Sequence, residues 1–203
     1  MPRLSWGRSR IFRRNTCAAI TKAARQARQK RRDKISMVSL RRLTAEDWAL
    51  LRDVRLLALS SDPRAFGSFF DREKDYGEDE WRRWLTGEDS AVFGFFDDAG
   101  AIAGMTGIAL REDDRMYGVA KLWGSWLRAD VRGRGYAAAL YRARIDWARQ
   151  HPLVQTIVVS HRESNTASMK ANQKHGFIYT HRKAHVWPDG AEEDQLFYEL
   201  RVK

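Results

Sequence analysis

The chain has 203 residues, of which 43% are hydrophobic and 31% are charged, and its formal net charge is +11. This length is sufficient for one domain with a sizeable core, and no run of 18 apolar residues predicts a membrane span. The single cysteine, Cys17, excludes an intramolecular disulfide and a thiolate metal cluster, and it fits a cytosol-like compartment.

The positive charge is concentrated in residues 1–36, which we call the basic arm. This arm holds twelve lysines and arginines and one acid, Asp33, so its net charge is +11. The body, residues 37–203, holds 25 basic and 25 acidic residues and is therefore neutral. The high isoelectric point thus does not indicate a nucleic-acid-binding body. We predict a disordered or loosely helical arm followed by one folded domain.

Three interpretations of the basic arm are open. An Arg-rich, nearly acid-free segment can be a tail that contacts a polyanion such as nucleic acid, or a mitochondrial or plastid transit peptide. It can also arise from an upstream start codon, because Met37 directly precedes the first strand-like run. We favour the start-codon interpretation, or a plain solvated tail, over a functional arm.

Hydrophobic periodicity and turn residues predict alternating elements throughout the body. In the first half these are a strand over 38–43, a helix over 45–60 capped by Thr44, a turn or short helix over 62–67, a helix over 78–85, and strands over 91–97 and 101–110 joined by a hairpin loop. In the second half they are a polar connector over 111–118, a strand over 119–127, a helix over 137–150, a strand over 154–160, a helix over 165–175, a strand over 177–186, a polar loop over 187–193 and a strand over 194–201. This order predicts a mixed α/β fold. Because side chains alternate along a strand, Trp123 and Trp126 are expected on opposite faces of theirs.

The segment 130–137 places a glycine-bearing turn between a predicted strand and a predicted helix. Gly133 and Gly135 permit close backbone approach, and the first N–H groups of a helix have no partner within it. The helix dipole also favours an anion at this end. No Gly-Lys-Ser/Thr follows, as in a Walker A loop, and the next strand does not end in the acidic residue of a dinucleotide-binding fingerprint. The sequence therefore predicts a site for a phosphate-bearing ligand.

Two motifs resemble the GNAT superfamily of acyl-CoA-dependent N-acyltransferases. Arg132-x-x-Gly135-x-Ala137 matches the family signature (Gln/Arg)-x-x-Gly-x-(Gly/Ala). Asn165 opens a predicted helix that is closed by a Gly-Phe pair, as in the family pattern, and a softer match to a bacterial subgroup extends over 55–67. The resemblance implies a single mixed, largely antiparallel central sheet that is splayed at the cofactor site and flanked by helices.

The same resemblance implies an N-acetyltransferase that moves the acetyl group of acetyl-CoA to an amine by direct attack through a tetrahedral intermediate, without a metal. The acceptor would be a small-molecule or peptide amine, the compartment would be cytoplasmic, and a homodimer would be compatible with the family. The backbone of Ser125 and Leu127 is expected to pair with the pantetheine arm, and Asn165 to hydrogen-bond the same region. The pyrophosphate is expected on a cradle formed by Arg132, Gly133, Arg134, Gly135, Tyr136 and Ala137, with charge-assisted contacts from the two arginines.

The catalytic residues depart from the family pattern. Many relatives have a tyrosine seven residues after the helix-opening asparagine, where it protonates the departing thiolate, but this chain has Asn172 there. An amide does not supply a proton near neutral pH, and the predicted strand 119–127 contains no carboxylate. His161, Glu163 and Tyr136 are candidate substitutes, and the acid and base stay unassigned. The alternative function is a CoA-binding regulatory or interaction protein with weak or no turnover.

Overall fold

The computed structural model describes residues 39–203, so the basic arm, Met37 and Val38 lie outside the described residues. Within this range, seven strands run over Ser39–Arg42 (β1), Ser90–Phe96 (β2), Ile102–Leu110 (β3), Val119–Leu127 (β4), Thr156–Arg162 (β5), Ile178–Lys183 (β6) and Gln195–Arg201 (β7). Six α-helices of the same range run over Trp48–Ser61 (α1), Phe70–Glu73 (α2), Glu78–Leu85 (α3), Glu112–Arg115 (α4), Ala137–Gln150 (α5) and Thr166–Lys174 (α6). Short 3-10 turns span Ala45–Asp47, Pro63–Ala65 and Ala129–Val131.

The seven described strands form one sheet in the order β1-β2-β3-β4-β5-β7-β6. Neighbouring strands are antiparallel except for the central pair β4 and β5, which is parallel. A parallel pair requires a crossover connection, and α5 provides it between β4 and β5. The predicted mixed, largely antiparallel sheet flanked by helices is confirmed.

The sheet opens between β4 and β5. These strands pair only at residues 119–121 and 156–158, near their starts. Residues 122–127 of β4 therefore have no strand on this edge in the described part of the chain. A backbone edge without a neighbouring strand leaves N–H and C=O groups that a bound molecule can pair with. The splayed sheet that the family resemblance implies is therefore present.

Apolar side chains pack against the sheet in two clusters. One cluster includes Ile145 of α5 and Leu122 of β4, and we call it the α5-side cluster. The other includes Leu51 of α1 and Trp81 of α3, and we call it the α1-side cluster. Adjacent residues of one strand fall into different clusters because alternate side chains point to opposite faces of a sheet. The two faces of the sheet are thus covered by different helices.

A β-bulge corrects the prediction for Trp123 and Trp126. Trp123 is opposite Gly107 and Trp126 is opposite Met105, so two residues of β4 face one residue of β3. The extra residue reverses the alternation of side chains, and both tryptophans join the α1-side cluster. Gly124 adopts a φ of +63° at the bulge, a conformation that favours glycine. The expectation that the two tryptophans occupy opposite faces is therefore wrong.

Smaller differences from the predicted elements lie at ends and connectors. The polar connector 111–118 contains the one-turn helix α4, and the charged segment after residue 67 contains α2. Strand β6 ends at Lys183, earlier than predicted, although a bridge between Val186 and Glu192 extends the hairpin. Local residue preferences predict helix and strand cores better than their ends.

No helix among residues 39–203 is long and apolar enough to cross a membrane.

Candidate functional site

The glycine turn lies where β4 ends and α5 begins, beside the opening of the sheet. Gly133 and Gly135 have φ values of +73° and +85°, in the left-handed region that favours glycine. A Cβ atom added to either residue would meet nothing within 4 Å, so the turn faces open space. The glycines are therefore required by the backbone conformation and not by a crowded neighbour.

The backbone donors of this turn are free. Consecutive N–H groups over residues 133–137 have no hydrogen-bond acceptor within the described range, whereas Arg132 N–H donates to the Ala129 carbonyl at 3.2 Å and Ala138 N–H to the Gly135 carbonyl at 3.2 Å. Five adjacent free donors at the start of a fourteen-residue helix form a concentrated anion-binding feature. The five residues are Gly133, Arg134, Gly135, Tyr136 and Ala137.

The two arginines of the turn have different surroundings. Arg132 forms an ion pair with Asp62, and its Nε donates to the Leu127 carbonyl at 2.7 Å. Its guanidinium therefore binds protein groups, which differs from the predicted contact with pyrophosphate. Arg134 is exposed and has no ion-pair partner in the part of the chain that the structure describes. Of the two, Arg134 is available to a phosphate.

Asp62 closes α1 and joins it to the turn. Its carboxylate accepts a hydrogen bond from Trp126 Nε1 at 2.6 Å in addition to the ion pair with Arg132. The hydrogen bond from Arg132 holds the pKa of Asp62 below its ordinary value. A carboxylate with a depressed pKa and two donors is a weak base, so Asp62 is a structural residue of the site.

The open edge of β4 carries the two residues predicted to pair with the pantetheine arm. Arg128 N–H donates to the Ala103 carbonyl of β3 at 2.8 Å. Because alternate residues direct their N–H groups to opposite edges, Leu127 N–H points toward the opening. The Ser125 hydroxyl lies 2.9 Å from the Thr106 hydroxyl and accepts from Arg144 Nη1 at 2.6 Å. Ser125 thus connects the bulge to α5.

Asn165 is the N-cap of α6, as predicted. Its side-chain oxygen accepts a hydrogen bond from Ser168 N–H at 3.0 Å, which satisfies one of the free donors at the helix start. The amide nitrogen of Asn165 is the group left for a ligand. Gly176, with a φ of +84°, follows the end of the helix as the predicted C′ residue.

The three candidate substitutes for the catalytic acid and base occupy very different environments. Glu163 is exposed, and Tyr136 packs its ring 4.9 Å from that of Phe95. His161 is buried on β5, where its Nδ1 lies 2.8 Å from the Arg162 carbonyl and its Nε2 has no partner among residues 39–203. A carbonyl only accepts, so Nδ1 carries the hydrogen and Nε2 carries the lone pair. Burial lowers the pKa of His161.

Two further residues of the site are not evident from sequence patterns. Tyr141 on α5 donates its hydroxyl hydrogen to Asn172 Oδ1 at 2.5 Å, and both residues are buried. Arg144 lies one helical turn further along α5 and is 1% exposed. The only sequence signal is that Arg144 interrupts the apolar stripe formed by Leu140, Ile145 and Ala148, a position where a charge is costly.

A cavity of about 440 Å³ lies beside the loop that connects β6 to β7. Acidic side chains contribute to its lining, but Asp194 and Glu163 lie 3.4 and 3.9 Å from Arg182, and Glu193 lies 3.8 Å from Arg162. Two arginines compensate only part of the charge of the four acidic residues in the lining, and the cavity alone defines no ligand class. No cluster of three or more histidine, cysteine or acidic side chains that could hold a metal occurs among the described residues.

Comparison with known proteins identifies the family. A family model described as the acetyltransferase (GNAT) family matches residues 45–177, and the chain belongs to this family. The sequence has no significant match among curated proteins. The matched region contains the glycine turn, the open edge of β4 and α6, so the features described above lie within the family domain.

Solved structures share the fold at low sequence identity. An N-acetyltransferase from Staphylococcus aureus Mu50 is 22% identical, with 82% of this chain and 99% of that chain covered and a TM-score of 0.67. A GNAT superfamily phosphinothricin acetyltransferase from Sinorhizobium meliloti in complex with AcCoA is 16% identical, with 81% and 88% covered and a TM-score of 0.68. A spermidine N-acetyltransferase from Vibrio cholerae in complex with CoA and spermine is 14% identical, with 82% and 96% covered and a TM-score of 0.65. These similarities establish the fold.

Proposed function

We propose that the protein transfers the acetyl group of acetyl-CoA to an amine. The observation that carries the proposal is the row of five free N–H groups over residues 133–137, at a helix start beside an open strand edge. This combination suits a ligand that joins a pyrophosphate to an extended amide-containing arm. Family membership and the relatives whose structures contain AcCoA or CoA support acetyl-CoA as the donor.

The donor would bind along β4. The pyrophosphate would accept from the N–H groups of residues 133–137, with Arg134 adding charge. The pantetheine amides would pair with the open edge near Ser125 and Leu127, and the amide nitrogen of Asn165 would donate from the opposite side of the cleft. Arg132 would hold the turn through Asp62 and Leu127 and would not contact the phosphate. No step in this arrangement requires a metal.

The acceptor amine must lose a proton before it can attack the thioester. We assign the proton acceptor to His161, because its Nε2 lone pair is unpartnered within the described chain and its Nδ1–H is fixed by the Arg162 carbonyl. The lowered pKa keeps the imidazole neutral at physiological pH. Leu127 N–H, directed to the opening, would pair with a pantetheine amide, so the donor that stabilises the oxyanion of the tetrahedral species stays unassigned.

The test is a consumption assay for acetyl-CoA over polyamines, aminoglycosides, amino acids and peptide N-termini. We expect at least one amine to give transfer, and the acetylated product to be detected by mass spectrometry. The same panel with protein that begins at Met37 examines the basic arm, and identical profiles would make residues 1–36 irrelevant to the chemistry. Residues 37–203 are proposed as the N-acetyltransferase domain, with a cytoplasmic location.

A second candidate function is a CoA-binding regulatory protein without turnover. It is favoured by Asn172 at the position of the tyrosine that many relatives use, and by the lack of a carboxylate on β4. Saturable CoA binding combined with no transfer to any amine of the panel supports this function. Acetylated product from one amine excludes it.

A further inference from the structure

A buried arginine lies at the inner end of the candidate site, and no carboxylate among residues 39–203 pairs with it. Arg144 Nε donates to the Leu140 carbonyl at 3.1 Å, and Nη1 donates to the Ser125 hydroxyl at 2.6 Å. The guanidinium carbon lies 4.7 Å from the centre of the Tyr141 ring. The remaining nitrogen, Nη2, is buried and has no partner among the described residues.

Such an arrangement is unfavourable in the free protein. A buried charge is normally compensated by an opposite charge, and its removal from water is costly when it is not. Burial lowers the pKa of Arg144 to about 10, so the guanidinium is still positive at neutral pH. The site therefore holds a permanent positive charge and a free hydrogen-bond donor.

A second free donor lies beside the first. Tyr141 donates to Asn172 Oδ1, so the amide nitrogen of Asn172 points elsewhere, and it is buried without a partner in the described chain. Both donors adjoin Tyr141, one over its ring and one at its hydroxyl. We call Arg144 and Asn172 the donor pair. Two unsatisfied buried donors, one of them cationic, form a site for an anion.

The donor pair lies on the expected path of the acyl donor. Arg144 is seven residues from the start of α5, about 10 Å along the helix axis at 1.5 Å per residue. It touches Ser125 on the part of β4 that has no neighbouring strand on its open edge, and Asn172 of α6 contacts the same Tyr141 over which the Arg144 guanidinium lies. A ligand that enters from the glycine turn along β4 would therefore end near Tyr141 and the two donors that adjoin it.

We propose that Arg144 and Asn172 stabilise the thiolate of the departing CoA, a role that rests on the proposed function. As the amine nitrogen bonds to the acyl carbon, the carbonyl π electrons move to oxygen. They return as the carbon–sulfur bond breaks, and the sulfur keeps that bonding pair as a thiolate. The surplus proton of the amine leaves to the base. The negative charge on sulfur appears only as that bond breaks, so a preorganised cation there accelerates the step.

The titratable groups around Arg144 supply no negative charge near neutral pH. Tyr141 lies on the same helix, and burial raises the pKa of its hydroxyl. His175 follows α6 and stacks on the Tyr141 ring at 4.2 Å, and burial followed by the charges of Lys174, Arg144 and Arg142 lowers its pKa. From β4 the Ser125 hydroxyl accepts a hydrogen bond from Arg144, and that hydroxyl lies beside the Thr106 hydroxyl of β3. Within the described part of the chain, no anion therefore occupies this position before a thiolate arrives.

Binding of CoA and of desulfo-CoA between pH 6 and pH 8 tests the proposal on the unaltered protein. The reference cysteine thiol has a pKa of about 8.5, and a thiol bound beside Arg144 would ionise at lower pH than the same thiol free in water. We therefore expect CoA to bind about tenfold more tightly at pH 8 than at pH 6, relative to desulfo-CoA. Ultraviolet absorption of the bound thiolate is a second readout. Parallel binding curves for the two ligands over this range would overturn the proposal.

Variants then assign the effect to Arg144. In Arg144→Met the difference between CoA and desulfo-CoA should disappear and kcat should fall about a hundredfold, with little change in KM for acetyl-CoA. Replacement of a buried charge by an apolar side chain is often tolerated, and thermal unfolding checks this. Arg142→Met, at an exposed position of the same helix, is the control and should retain the difference.

The outcomes separate this role from the proposed function. If neither CoA nor desulfo-CoA binds, the acyl-donor site itself is wrong, and the thiolate role fails with it. If both bind but the thiol makes no difference, the donor site stands and the thiolate role fails. A pH-dependent advantage for CoA that survives in Arg144→Met would also overturn the assignment. Strong selection for a carboxylated acyl-CoA over acetyl-CoA would show that the buried cation binds the acyl group instead.

Discussion

Arg132 and Asp62, seventy residues apart in sequence, form an ion pair that ties the glycine turn to the end of α1. Arg132 also donates to the Leu127 carbonyl, the last residue of β4. The first residue of the family signature therefore has a structural role in this chain. Its side chain ties the turn to the open strand edge, and we propose that phosphate contact falls to the backbone and to Arg134.

We expect Arg132→Met to weaken acetyl-CoA binding about three- to tenfold. The partly exposed ion pair contributes at most about 1 kcal/mol, and the charged hydrogen bond to Leu127 adds to it. Asp62→Asn should produce part of the same loss, and the double variant should lose less than the sum of the single losses. Titration calorimetry measures the affinities.

Salt dependence separates positioning from direct contact. Exposed charges that bind phosphate are screened by salt, so Arg134→Met should reduce the dependence of the Kd on ionic strength. Arg132→Met should leave that dependence unchanged. If Arg132→Met reduced the dependence of the Kd on ionic strength and Arg134→Met did not, the roles that we give to the two arginines would have to be exchanged.

The turn glycines allow a matched comparison. Gly135 and Gly100 have φ values of +85° and +77°, and an added Cβ meets nothing within 4 Å at either position. Alanine should therefore cost about 1–2 kcal/mol of stability at both sites through backbone strain. Only Gly135→Ala should reduce acetyl-CoA affinity, by about tenfold or more, because a shifted turn misdirects its N–H donors. Equal loss of affinity in both variants would mean that global destabilisation explains it.

Local sequence rules predicted the elements of the site but not its contacts. The glycine turn, the helix that follows it and the Asn165 cap depend on neighbouring residues, so their patterns are legible in the chain. The bulge at Gly124 depends on pairing with β3, and no residue in β4 alone specifies it. For that reason the faces of Trp123 and Trp126 were predicted incorrectly.

Long-range contacts explain the other omissions. Arg144 is notable only when β4 brings Ser125 next to it and α6 brings Asn172 next to its neighbour Tyr141. Similarly, the ion pair of Arg132 with Asp62 depends on how α1 packs beside the end of β4. Sequence spacing contains no information about such pairs. The acceptor amine could not be predicted for the same reason, because loops that are distant in sequence would together form its binding site.

The proposed base predicts a specific pH dependence. A neutral His161 accepts a proton, so kcat should be constant above about pH 6.5 and fall at lower pH, where the imidazole is protonated. Because burial lowers the pKa of His161, this fall should begin below the ordinary histidine value. His161→Gln should lower kcat at least a hundredfold and remove this limb of the profile, as measured by initial rates at saturating donor. A profile unchanged in His161→Gln would exclude His161 as the base.

The free energy of unfolding should fall at low pH, as kcat does. The unfolded chain takes up a proton at histidine near pH 6.5, whereas buried His161 resists protonation, so the unfolded state binds more protons as the pH falls. The free energy of unfolding should therefore decrease between pH 7.5 and pH 5.5. His161→Gln should reduce this decrease, and His181→Gln, at an exposed position of β6, should reduce it less. Urea unfolding at the two pH values measures both effects.

The most destabilising single change should be at the ion pair of Arg55 and Glu73, which is buried beneath the bulge. Two hydrogen bonds of 2.8 and 2.7 Å join the pair, and both side chains are less than 10% exposed. Glu73→Gln leaves the guanidinium buried without a negative partner, and such a change costs about 3–5 kcal/mol. Asp71→Asn, which breaks the exposed pair with Lys74 in the same segment, should cost less than about 1 kcal/mol. Chemical unfolding of the two variants measures the difference. Equal losses of unfolding free energy would show that the burial of the Arg55–Glu73 pair does not make it more important for stability than an exposed pair.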